Sequence, residues 1–292
     1  MARFDQFLAI DWSGATGERH AGIALAIAGS DGGVPVLVER GLKWSRAEVL
    51  GILRDLPSGT LVGMDLGISL PFADCGAFFP GLPDGPHGAK ALWAQIDQIC
   101  ADDLHLGANS FVDDDALSAY FRRHAGREGA AFRCDGAMHG RGRFRVTELR
   151  QGEMGLKPYS NFNLVGAAQV GKSSLTGMRV LHALQGAVPV WPIDTLPSSG
   201  SVICEIYTSL AAIEAGRTAS RSKIRDRTEL DDALHTLGSP GLGGNGPIDD
   251  HSSDAIITAA WLRKVANDPA RWTPNGLTAQ IAQTEGWTFG VT

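Results

Sequence analysis

The sequence predicts an α/β protein built on a mixed sheet, and three observations carry that expectation. Short apolar runs bounded by turn residues alternate with amphipathic stretches. The first elements read, in order, strand, strand, strand, helix, strand, or β-β-β-α-β, with α/β units after them. Two apolar runs end the same way, Phe7-Leu8-Ala9-Ile10-Asp11 and Leu61-Val62-Gly63-Met64-Asp65, each with an aspartate at the end of a buried strand.

The first strand is read over residues 6–12 and is followed by a polar, glycine-bearing loop from Ser13 to His20. Gly22 to Ala28 reads as a second strand, Asp31-Gly32-Gly33 as a turn, and Val34 to Glu39 as a third strand. The short connections make these three an antiparallel meander. Val49, Ile52, Leu53 and Leu56 recur at helical spacing, and Ser45 with Glu48 three residues on is a capping box, so a helix spans Ser45 to Leu56. Thr60 to Asp65 is the fourth strand. Helices are predicted at Ala89 to Cys100 and at Asp114 to Arg123, the Asp113-Asp114-Asp115 run suiting a helix N-terminus. Ser174 to Leu184 reads as a helix, Pro189 to Gly200 as a loop, Val202 to Tyr207 as a fifth strand, and Ser209 to Ala215 as a helix. Gly238 to Pro247 is a Gly/Pro connector, and Asp249 to Ala266 is the last strong helix.

At 292 residues, 43% hydrophobic and 20% charged, the chain has an ordinary globular composition and can bury a sizeable core. The expected organisation is a core of residues 1–71 plus 201–292, interrupted by a mainly helical, Arg-rich insertion at 72–200. The four cysteines form no CxxC pair, which argues against a zinc site and a disulfide framework. No basic-then-apolar leader and no run long enough to span a membrane is present, so a cytoplasmic location is expected. The net charge of −6 hides two basic clusters: eight arginines within 119–150, including Arg141, Arg143 and Arg145, and Arg217, Arg221, Lys223, Arg225 and Arg227. Such clusters either bind a polyanion or form a solvated surface faced by carboxylates from elsewhere.

Strand-end carboxylates are poor for folding and good for chemistry. An unpaired buried charge costs several kcal/mol, about 3 or more, unless something compensates it. If the first and fourth strands are neighbours, Asp11 and Asp65 meet at one edge. In the last helix Asp250 and Asp254 are four residues apart and share a face, with His251 beside them. Magnesium and manganese take oxygen ligands of this kind, and bound ions can support phosphodiester cleavage. Asp250 is read either as a helix cap or as a site residue, Glu205 either as a solvent-facing strand residue or as a supporting ligand, and His251 either as a surface residue or as a base.

The segments FLAIDWSG at 7–14, LVGMDLGISLP at 61–71, CEIYTSL at 204–210 and DDHSSDAIITAAWL at 249–262 resemble an uncharacterised family of ribonuclease H-like nucleases. The last segment is also similar to the C-terminal helix of Holliday-junction resolvases, where a His or Asp stands three residues before a D-A pair. The resemblance implies a ribonuclease H-like mixed sheet and a nuclease that hydrolyses DNA or RNA with Mg²⁺ or Mn²⁺. It places the metal on Asp11, Asp65 and Asp254, with Asp250, His251 or Glu205 in support. Ribonuclease H proper carries a glutamate on the helix after its third strand; Glu48 here reads as a cap, which leaves Glu205 as the substitute. The Arg141, Arg143, Arg145 group and Arg221, Lys223 and Arg225 would then hold the phosphate backbone.

Two other readings compete. Gly166 to Ser173 matches GxxxxGK[ST], so Lys172 and Ser173 could bind a nucleotide in a P-loop, or a substrate phosphate at a helix start. The Asp11–Thr16 and Asp65–Ser69 segments are also similar to the phosphate loops of the sugar-kinase, actin and chaperone ATPase superfamily, although a second D-x-G hairpin after residue 200 is missing. A non-catalytic nucleic-acid-binding protein of the same fold is the remaining alternative.

Overall fold

A computed structural model describes residues 3–133, 141–166, 169–218 and 223–292. Its centre is a six-stranded mixed sheet whose inner strands are the apolar runs of the sequence. The chain enters with β1 (Gln6–Asp11), a two-residue β2 (Arg19–His20), β3 (Ala24–Gly29), β4 (Val36–Leu37), β5 (Trp44–Ser45), α1 (Arg46–Arg54) and β6 (Thr60–Asp65). There follow α2 (Ala89–Ile99), α3 (Asn109–Asp113), α4 (Val146–Glu153) and α5 (Val170–Ala183), then β7 (Val190–Trp191) and β8 (Val202–Glu205). The chain closes with α6 (Thr208–Glu214), α7 (Arg227–Thr236), α8 (Asp250–Val265) and α9 (Ala279–Thr284). The sheet order is β4-β3-β1-β6-β8-β7. β3 is antiparallel to both β1 and β4, whereas β1, β6, β8 and β7 run parallel.

Alternation along the strands divides the core into two layers. Phe7, Ala9, Leu61, Val202 and Cys204 face one side, where α6 and α8 cover them. Leu8, Ile10, Val62, Met64 and Ile203 face the other, where they join a core shared with α1, α2 and α5. The close fit of the first layer has a visible cause at Gly63: an added Cβ would stand 2.7 Å from Ile206 Cγ2 and 2.9 Å from Leu262 Cδ1. α8 is apolar nearly all round, as expected of a helix buried between a sheet and neighbouring helices.

The capping box of α1 is formed as predicted: Ser45 Oγ accepts from Glu48 N at 3.2 Å, and Glu48 accepts from Ser45 N at 2.8 Å. Elsewhere the structure corrects the sequence reading. The third strand shrinks to Val36–Leu37. No helix runs from 114 to 123; Asp114 instead accepts from Ala116 N and Leu117 N in a turn, and Ser118–Tyr120 is a single 3-10 turn. The predicted loop at 189–200 begins with β7, which extends the sheet beyond β8. The described aromatic residues of the segment 72–200 share the core of the sheet: Phe79 packs edge-on against Phe111, Tyr120 and Phe162. Among the described residues no helix is long and apolar enough to cross a membrane.

Candidate active site

Asp11 and Asp65 are the final residues of β1 and β6, and the parallel register sets them directly opposite each other. Paired residues on parallel strands project to the same face. Both belong to the layer of Ala9 and Gly63, the face covered by α8, and α8 brings Asp254 to them. The three carboxylates interact: burial, then the charges of Asp11 and Asp254, push the Asp65 carboxyl up to about 8. Burial also raises Asp254, to about 6, against the opposing pull of Lys223. Each acid has a different polar partner. His251 Nδ1 lies 2.8 Å from Asp11 Oδ2, Thr208 Oγ1 donates to Asp65 Oδ2 at 3.0 Å, and Lys223 Nζ donates to Asp254 Oδ2. The Asp11 contact lifts His251 above its ordinary value.

The loops that follow the two strand-end acids rest on the first turns of α5. A Cβ on Gly14 would fall 2.4 Å from the backbone of Lys172 and Ser173, so only glycine fits. Trp12 Nε1 donates to Thr176 Oγ1 at 3.1 Å, and Gly67 N donates to Ser174 Oγ at 3.1 Å. Lys172 and Ser173 thus lie on a buttress of the site. No strand forms at 160–165, and the N–H groups of the helix start are already engaged: Gly171 N by Asn163 O, Lys172 N and Ser173 N by Gln169 O. These three donors are used within the fold; residues 167 and 168 of the GxxxxGK[ST] match lie outside the described residues.

The remaining predicted residues divide by location. Asp249, not Asp250, caps α8, accepting from Ser252 N at 2.9 Å. Asp250 is gripped by Arg225 through two hydrogen bonds of 2.7 and 2.9 Å, which hold it below the usual carboxylate range. Glu205 is not brought to the acids. It pairs in register with Met64 and so projects to the opposite face of the sheet from Asp65. There it accepts from Arg145, Ile68 N and Thr288 in a buried cluster that also contains Glu148 and Glu285. Burial works against the Arg145 charge, but Glu148 and Glu205 more than offset it and raise its pKa. Arg143 is fully buried and bonds to Asp74 and to the carbonyls of Pro71, Ala77 and Phe78. Arg143 and Arg145 therefore hold the fold together and are withdrawn from any backbone-binding surface. Arg141 is exposed, its guanidinium 5.8 Å from the Tyr159 ring centre. Arg225 is exposed, and Arg221 lies outside the described residues.

The sequence reading missed Thr208, the partner of Asp65; its position just after the fifth strand, in Glu205-Ile206-Tyr207-Thr208, was the available signal. The set of hard oxygen donors suits a divalent cation such as Mg²⁺ or Mn²⁺. Burial first, and the neighbouring carboxylates after it, raise Asp65 and Asp254. As the side chains stand, no group of three or more His, Cys, Asp or Glu among the described residues is arranged to hold a metal ion. Lys223 and His251 take up oxygens of Asp254 and Asp11 instead. Fold and site together define a mixed α/β protein with a three-carboxylate centre between two parallel strand ends and a buried helix. No family model matches the chain, and no curated protein or solved structure is significantly similar to it.

Proposed function

We propose that the protein is a divalent-metal-dependent nuclease of ribonuclease H-like architecture that hydrolyses phosphodiester bonds in nucleic acid. The observation that carries this reading is the in-register pair Asp11 and Asp65 facing Asp254, with Asp65 pushed to about 8. The sheet supports the architecture: in β4-β3-β1-β6-β8 only β3 runs against the others, the strand arrangement expected of a ribonuclease H-like core.

Asp11, Asp65 and Asp254 would hold Mg²⁺ or Mn²⁺; the bound ion supplies activation of water and stabilisation of the leaving oxygen. The chain's own groups keep the acids in place for that role. His251 Nδ1 fixes the orientation of the Asp11 carboxylate, and Thr208 does the same for Asp65. The buttress of α5 under Gly14 and Gly67 keeps both strand ends from moving apart. Arg225 and Arg141 are predicted cations that remain outside the core among the described residues, Arg225 paired with Asp250 and Arg141 set against the Tyr159 ring.

The test is cleavage of labelled DNA and RNA panels in Mg²⁺ and Mn²⁺. Metal-dependent cleavage that falls at least ~10²-fold in Asp11→Asn and in Asp65→Asn is the expected result. Undiminished cleavage by both variants would overturn the assignment.

A further inference from the structure

Lys223 entered the sequence reading as a contact for substrate phosphate, but the structure places it elsewhere. Its ammonium donates to Asp254 Oδ2, and it also interacts electrostatically with Asp11 and Asp65. A single positive charge therefore stands within the field of all three acids. We propose that Lys223 is a resident counter-cation of the carboxylate centre, which leaves Asp11 and Asp65 open to one divalent ion and makes a second ion compete with the ammonium for Asp254. This inference rests on the metal-dependent reading of the site.

The way Lys223 is mounted supports this role. The residues after it form a strap across the start of α8, pinned at three points. Ile224 is buried, its carbonyl accepting from Ser253 Oγ at 2.7 Å. The Arg225 carbonyl accepts from Ile248 N at 3.0 Å. The Arg225 side chain forks onto Asp250, one helical turn before Asp254. The backbone at Lys223 is thus held beside the acids, while its side chain is 54% exposed and can turn into water with little loss of packing.

Charge makes the effect selective. Three carboxylates carry −3 when ionised, which one divalent ion and Lys223 together balance. A second divalent ion brings an excess of positive charge, relieved when the ammonium leaves Asp254. Among the described residues the groups facing Lys223 are Asp254, Asp11 and Asp65, with Tyr207, His251 and the Arg225–Asp250 pair beside them. Removing one positive charge at close range strengthens the binding of another by an order of magnitude or more, even with water partly screening the pair.

The experiment is Mn²⁺ titration of the full chain by calorimetry and electron paramagnetic resonance, comparing wild type with Lys223→Met, Lys223→Arg, Asp254→Asn and Asp11→Asn. Methionine keeps the aliphatic stem and removes the charge; circular dichroism checks that the fold is retained, and arginine is the charge-preserving control. Wild type is expected to bind one Mn²⁺ tightly and a second weakly. Lys223→Met should tighten the second event at least ~10-fold and the first by less, Lys223→Arg should retain the wild-type pattern, and Asp254→Asn should lose the second event. An unchanged or weaker second event in Lys223→Met, with first-ion binding still abolished by Asp11→Asn, overturns the counter-cation role and leaves the metal site standing. Absence of Mn²⁺ binding in both wild type and Lys223→Met overturns the metal site and this inference together.

Discussion

The raised carboxyl of Asp65 should make the metal-free protein progressively less stable as pH rises, and Asp65→Asn should remove most of that loss. Asp65 has an ordinary value of 3.8 and stands at about 8 in the folded chain. Between those values the unfolded chain binds fewer protons than the folded one, so the free energy of unfolding falls with increasing pH. The contribution is fully present below about pH 4 and lost by the time the pH passes 8. A single carboxyl displaced so far sets a ceiling of roughly 6 kcal/mol. Coupling to its charged neighbours and partial access to water reduce the expected difference to about 2–4 kcal/mol, a large part of an ordinary domain's stability. Urea unfolding in EDTA at intervals from pH 5 to pH 9 measures it. Wild type should lose about 2–4 kcal/mol more than Asp65→Asn across that range, with unchanged m-values, and saturating Mn²⁺ should restore wild type alone. Parallel stability curves for the two proteins would refute the reasoning, because they would mean that Asp65 ionises without opposition from its neighbours.

Two further perturbations address the supports of the site. Arg145→Met leaves Glu148 and Glu205 buried without their cation and should cost about 3–5 kcal/mol in urea unfolding, while any protein that folds binds Mn²⁺ as wild type does. Gly14→Ala drives a methyl group into the backbone of Lys172 and Ser173; it should cost about 1–3 kcal/mol and weaken Mn²⁺ binding by displacing the Asp11 loop.

The parts of this architecture that were legible in the sequence are those written in local pattern. β1, β6 and β8 are apolar runs with turn residues at their ends, α1 announces itself through Ser45 and Glu48, and α8 through its long apolar stretch. Asp11, Asp65 and Asp254 were legible because each interrupts an apolar element where a structural explanation is weak. The ribbon of β2 and β5 was not, since two residues at each end pair across more than twenty residues of chain and leave no periodic signal. β7 was hidden by Pro189 and Pro192 on either side of Val190-Trp191. Arg143 and Arg145 misled for a different reason. Composition reports a local excess of arginine, but their carboxylate partners Asp74 and Glu205 are 69 and 60 residues away. The side of the sheet that Glu205 faces depends on its pairing with Met64, a register that only the assembled sheet defines.

The central claim is that Asp11 and Asp65 are metal ligands. Anomalous diffraction from crystals soaked in Mn²⁺ tests it most directly. The account predicts a manganese peak bridging the Asp11 and Asp65 carboxylates beside Asp254, absent from Asp11→Asn crystals; no peak there, or one confined to another part of the molecule, would contradict it.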